Sequence, residues 1–233
     1  LTLTRRYTRV KMRDSMGLAV LLAQAPILGL AMKVVFPEPD AATLFMLALS
    51  ALWFGASASV RELIADRPIW HRESRIGLRL LPYMASKVTV LGVLVALQCT
   101  LLAAMNWTLL DMGSGSGDVA YGFSLLALCG VTSLTGLVGM SMGLLISALF
   151  SSSEAAVGAL PVVLIPQITF GGLIVKVKEM SLLSKAVAYL MITRYAFDAT
   201  IKTGEYLSRP GSYGNSREPL HINGVLYDLG FRT

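Results

Sequence analysis

Five apolar runs, about Met16–Val35, Ala41–Val60, Val88–Met105, Tyr121–Phe150 and Ala155–Val175, leave this chain few ways to fold. An α-helix rises about 1.5 Å per residue, so roughly 20 apolar residues cover the ~30 Å of bilayer hydrocarbon. Inside lipid every backbone N–H and C=O must be paired within its own segment or in a closed barrel, and runs of this length select helices. The composition agrees: 55% of residues are apolar and 15% charged, where soluble domains carry about a quarter charged residues. The fold class expected is therefore all-α, a polytopic membrane helical bundle. The six surplus positive charges are read as loop charge that orients the spans rather than as a nucleic-acid surface.

Five Lys/Arg precede the first run and six separate the second from the third, against Lys33 alone in the first opposite flank and none in 106–118. By the positive-inside rule the amino terminus is cytoplasmic. The tail from Lys176 carries eight Lys/Arg against five acids and strains that assignment, although the rule weakens for long loops. The opening stretch reads as an amphipathic helix over 1–14, with Leu3, Tyr7 and Val10 as an apolar stripe lying on the membrane surface. Residues 15–175 form a five-span unit. Residues 176–233 form an extracytoplasmic segment in which 181–201 is either a re-entrant or interfacial helix or a sixth span, the latter burying Lys185, Arg194 and Asp198, with Arg194 and Asp198 spaced to pair.

No catalytic or metal site is visible. His71 and His221 have no Cys or carboxylate at ligand spacing, Cys99 and Cys129 each sit inside an apolar run, and no serine has a nucleophile-elbow context. The segment GSGSGD at 113–118 lacks the Lys-Ser/Thr of a phosphate loop and reads as a linker. Asn106-Trp107-Thr108 matches the glycosylation acceptor pattern. In the fourth run Gly136, Gly139 and Gly143 let two helix backbones approach closely, within the chain in preference to across a dimer seam.

The polar island between the second and third runs is the feature that lipid does not explain. Residues 61–79 hold eight charges, at a cost on the order of 20 kcal/mol if inserted, yet Leu63, Ile64, Ile69, Trp70 and Ile76 run through them. Short helices at the cytoplasmic rim over 61–80 fit this mixture, with an apolar side toward the bundle, a charged side open to a partner and Pro68 opening a first turn; a solvated, orienting loop fits it too.

The stretch ELIADRPIWHRESRIGLRLLPYMASK, 62–87, resembles the segment after the second span in the permease domain of ABCG-type (ABC-2, white/pleiotropic-drug-resistance) exporters, and Glu62, Asp66, Arg67, Trp70, Arg72, Glu73, Gly77, Tyr83 and Lys87 fall on that pattern. TRRYTRVKMRD is similar to the family's connecting helix, QAPILGL to its first span, SALFSSSEAAVGALP to its turn into span five, and FGGLIV and RYAFDA to its outer region. The resemblance implies that the island is a coupling helix, where Glu62, Asp66, Arg67, Trp70, Arg72 and Glu73 join an ATP-binding domain, braced by Trp70 and Ile69 as buried apolar anchors. It implies a substrate cavity between two copies of the chain lined by Phe45, Leu49, Trp53, Leu164 and Gln167, and a hydrophobic plug at Leu173 and Ile174. It also implies ATP and Mg held by a domain outside this sequence, a homodimer, contact with membrane lipid, a plasma or inner cell membrane location, and a last span beyond the sequence. The expected function is ATP-driven export of an amphipathic or lipid-like compound. A polysaccharide- or antibiotic-type ABC-2 permease with a separately encoded ATPase, and a membrane anchor without transport, stay open beside it.

Overall fold

A computed structural model describes residues 2–36, 40–75, 77–112, 121–173 and 182–206. The helices are α1 (Thr2–Arg13), α2 (Ser15–Val35), α3 (Ala41–Ser59), α4 (Glu62–Ser74), α5 (Leu80–Leu109), α6 (Leu125–Leu149), α7 (Ser153–Thr169), α8 (Leu182–Leu190) and α9 (Ile192–Lys202). Two three-residue strands, β1 (Tyr121–Phe123) and β2 (Gly204–Tyr206), pair antiparallel and tie the start of α6 to the end of α9.

Side-chain caps set several helix starts. Asp14 accepts from the Gly17 N–H at 3.0 Å, Asp40 and Thr43 form a reciprocal capping box, and Ser152 accepts from the Ala155 N–H at 3.2 Å. Among the described residues, four helical segments are long and apolar enough to cross a membrane: α2, α3 running on through helical backbone at Val60 and Arg61 into α4, α5, and α6. The fifth expected run is shorter as a helix: α7 has 17 residues and stops at Thr169, after which Phe170 and Gly171 lead to Gly172 with φ +95°. A Cβ on Gly171 would meet the Phe45 ring at 2.6 Å and the Gln167 carbonyl oxygen at 2.7 Å. The helix turns where only a residue without a side chain fits.

The core is built on α3, packed against α6, α5 and α9. Its seam with α6 is made of small residues. Gly55 faces the Gly136 backbone, Gly139 faces Leu52, and Gly143 faces Ala56 and Ser59. Ser59 Oγ lies 2.8 Å from the Gly55 carbonyl and 2.9 Å from the Met140 carbonyl across the seam. The three glycines of α6 thus serve packing within the chain. At the far end Phe197 of α9 meets Phe45 edge to face, with ring centroids 5.4 Å apart.

Several expectations are corrected. The apolar stripe of α1 is split between two sides: Tyr7 packs against the core while Val10 is exposed, because α1 docks along α5. Pro68 sits inside α4, which begins six residues earlier, so it does not open the helix. Stretch 181–201 is not one crossing helix: Met191, in extended backbone, breaks it into α8 and α9 of 9 and 11 residues, each too short for ~30 Å at about 1.5 Å per residue. Asp198 pairs with Lys202 at 2.9 Å, and Arg194 stacks 4.4 Å from the Tyr189 ring centroid. Asn106 is fully buried inside α5, its Nδ2 donating to the Leu102 carbonyl, and is no glycosylation acceptor in this fold. The linker 113–118 and the terminal segment from 207 lie outside the described residues.

Candidate functional site

At one end of the bundle α1, α4 and α5 meet in a junction of charges. Its centre is Lys87, 1% exposed, the one charged residue of the otherwise apolar helix α5. Lys87 Nζ lies 2.5 Å from Asp66 Oδ2 and 3.7 Å from Glu62 Oε2, and it donates to the Glu62 carbonyl at 3.3 Å. The same ammonium stands over the Tyr7 ring, 4.3 Å from its centroid. Glu62 also accepts from the Tyr7 hydroxyl and pairs with Lys11. Burial, and then the Glu62 charge, push the Tyr7 phenol well above its ordinary value of 10.0, so it remains a donor to Glu62. Two cations and two carboxylates are thereby closed into one partly buried network.

The rest of α4 is held as firmly. The N–H groups of Leu63 and Ile64 point at Ser147 Oγ of α6, 3.0 and 3.3 Å away. The Arg67 guanidinium donates to the carbonyls of Ala148 at 3.1 Å and Phe150 at 2.8 Å, where the last turn of α6 leaves acceptors unpaired and the helix dipole favours a cation. Arg6 makes a two-pronged pair with Glu73, 2.8 and 3.1 Å. Trp70 packs on Tyr83 with ring centroids 4.8 Å apart. On the other side Arg61, Ala65, Pro68, Ile69, His71, Arg72 and Arg75 are exposed.

The residues singled out from sequence on this segment therefore divide. Glu62, Asp66, Arg67 and Glu73 point into the chain, where they bind α4 to α1, α5 and α6 instead of presenting charge outward. Trp70 is partly buried against Tyr83, whereas Ile69 is 39% exposed, so neither is a fully buried anchor. Arg72 is exposed. Tyr7, Lys11, Arg6 and Ser147 were not singled out as site residues. The i, i+4 spacing of Tyr7 and Lys11 was the available signal for the first two; nothing local marks Ser147.

The residues expected to line a cavity are mostly packing groups. Phe45 is fully buried against Phe197, Leu164 is buried in the α3–α7 interface, and Leu49 packs against the core. Gln167 is buried because its Oε1 accepts from both the N–H and the hydroxyl of Thr193, each at 3.0 Å. Trp53 alone of the five is exposed, at 42%. Leu173 packs partly buried against the core, and Ile174 lies outside the described residues.

Arg6 holds the Glu73 carboxyl below its ordinary value of 4.5 by hydrogen bonding and charge. A lowered folded value means the contact is at full strength above the ordinary carboxylate range and is lost as pH falls through the lowered value. Spin labels on Val10→Cys and His71→Cys are expected to report an unchanged α1–α4 distance from about pH 7 to about pH 5, with broadening only in stronger acid.

Over 218 residues the chain is 29% identical to the ABC transporter ATP-binding/permease protein Rv1747 of Mycobacterium tuberculosis, a match covering 87% of this chain and 25% of that protein. The chain thus spans about a quarter of that relative's length. The family model for ABC-2 type transporters matches residues 1–203, and this integral membrane chain belongs to the ABC-2 type transporter family.

Proposed function

We propose that this chain is the membrane domain of an ATP-driven exporter of the ABCG-like kind, that it works as a homodimer, and that it moves an amphipathic or lipid-like compound outward. The observation that carries this reading is the clamping of α4. A rigid element transmits displacement only if its contacts with the moving body outlast the push, and α4 is fixed to α1, α5 and α6 through Glu62, Asp66, Arg67 and Glu73. Pressure on its exposed side, around Arg72, Ile69 and Pro68, is passed to three helices together.

The pressing body is an ATP-binding domain on the cytoplasmic side, which supplies ATP and Mg²⁺; the relative's name combines ATP-binding and permease in one protein. The amino terminus and α4 are then cytoplasmic and the membrane is the plasma or inner cell membrane, in keeping with the basic flanks. The five-span organisation, with α7 as the fifth span, belongs to the same reading. Trp53 and the exposed face of α7 border the substrate path between two copies, and Leu173 with Ile174 forms its plug.

Arg72→Glu in the full-length transporter is expected to lower export per ATP hydrolysed by roughly tenfold, since it reverses a charge at the partner-facing side, and to leave thermal unfolding unchanged. Unaltered export per ATP together with unaltered affinity for the ATP-binding domain would remove α4 from the coupling path.

A further inference from the structure

We infer that the outward face of α1 binds the phosphate-bearing headgroups of anionic phospholipids, in the leaflet at which α2 begins. Arg5, Arg9 and Arg13 recur every four residues and so stand in one row along the helix, all exposed. The opposite side, with Tyr7 and Lys11, is the one that docks on the rest of the chain. With Arg6 and Val10 the three arginines line an open groove of about 330 Å³. No carboxylate lines it: Glu73 is paired with Arg6, and the Asp14 carboxylate beyond Arg13 is turned to the first turn of α2, where it caps the Gly17 N–H. Guanidinium groups gathered without counter-charge favour an anion, and their planar forks match phosphate oxygens.

Two observations place that anion in a membrane. Asp14 is the single residue between α1 and the apolar helix α2, so Arg13 stands within a helical turn, roughly 5 Å, of a segment that enters hydrocarbon. Val10, Met12 and Met16, 61%, 62% and 78% exposed, stand beside the arginines and present apolar side chains where acyl chains begin. An acidic protein surface would match the arginines and leave those methionines unsatisfied. Lipid satisfies both.

The test uses the full-length protein carrying this chain, purified in detergent containing equal amounts of phosphatidylglycerol and phosphatidylcholine, with retained lipid counted by native mass spectrometry. Each arginine near an anionic surface contributes roughly fivefold in binding, so the native protein is expected to retain phosphatidylglycerol over phosphatidylcholine by roughly tenfold or more. The combined Arg5→Gln, Arg9→Gln, Arg13→Gln variant should lose most of that preference at an unchanged elution volume, and the combined Arg→Lys variant should keep most of it. Equal preference in the native and glutamine proteins overturns the proposal. So does a preference abolished by millimolar inorganic phosphate, which assigns the groove to a soluble anion, or a glutamine variant that keeps its lipid preference and sheds an acidic protein partner. The readout is lipid retention, so it stands or falls independently of transport.

Discussion

Gly139→Leu is expected to be among the most damaging single changes available in this chain. A Cβ at that position falls inside the contact radius of the Leu52 carbonyl oxygen and 3.0 Å from Leu52 C and Cα, all of them backbone atoms that no rotamer change can move. The two helices must separate along the most extensive helix pair in the bundle. Overpacking costs typically 1–3 kcal/mol and more where backbone must shift, so a loss of about 3 kcal/mol or greater is expected. For a chain of this size that lowers the unfolding midpoint by roughly 6–12 °C. Gly130→Leu is the control, because a Cβ there meets nothing within 4 Å, and its midpoint should match the native one. Equal midpoints for both variants would mean the α3–α6 seam is looser than described.

Lys87→Met is the second. The ammonium is 1% exposed and serves Asp66, Glu62 and the Tyr7 ring at once. Removing one partner of a buried charge network costs about 3–5 kcal/mol, because the partly desolvated Asp66 carboxylate is left behind without a counter-ion. Asp66 has no other ion pair among the described residues, whereas Glu62 keeps Lys11. The double change Lys87→Met, Asp66→Leu is therefore expected to regain much of the stability lost by the single one, since it removes the orphaned charge together with its partner. Thermal unfolding measures the first part. Export per ATP in the full-length protein measures the second, and there the double variant should remain impaired, as α4 is then tied to α5 less firmly. A fully active double variant would show that the network holds the fold together and transmits nothing.

Much of the fold was legible in the sequence because hydrocarbon imposes a length and an internal pairing rule that any apolar run must satisfy. The runs at 16–35, 41–60 and 88–105 correspond to α2, α3 and the middle of α5. The ends were less legible. α5 begins at Leu80, taking Tyr83 and Lys87 into its first turns, because the structure supplies partners for a cation that would otherwise end an apolar segment. The break at Met191 and the stop after Thr169 depend on Gln167 reaching Thr193 and on Phe45 filling the space beside Gly171. Those contacts join residues far apart in the chain, and no local pattern encodes them.

The charged segment shows the same division in a few residues. Its composition argued against a place in lipid, and the resemblance of its motif pointed to a mechanical joint. Which charges face inward was a matter for the tertiary structure, because a helix exposes all its sides until its neighbours are in place. Glu62 and Asp66 lie one turn apart on α4, and Lys87 reaches both only because α5 returns beside that face. Arg67 finds its acceptors only because α6 ends there. Apolar length and charge, properties of the chain itself, fixed the membrane and the helices; the assignment of each polar group to a brace or to an open surface required three-dimensional proximity, since the strength of an ion pair depends on distance and burial and not on order along the chain.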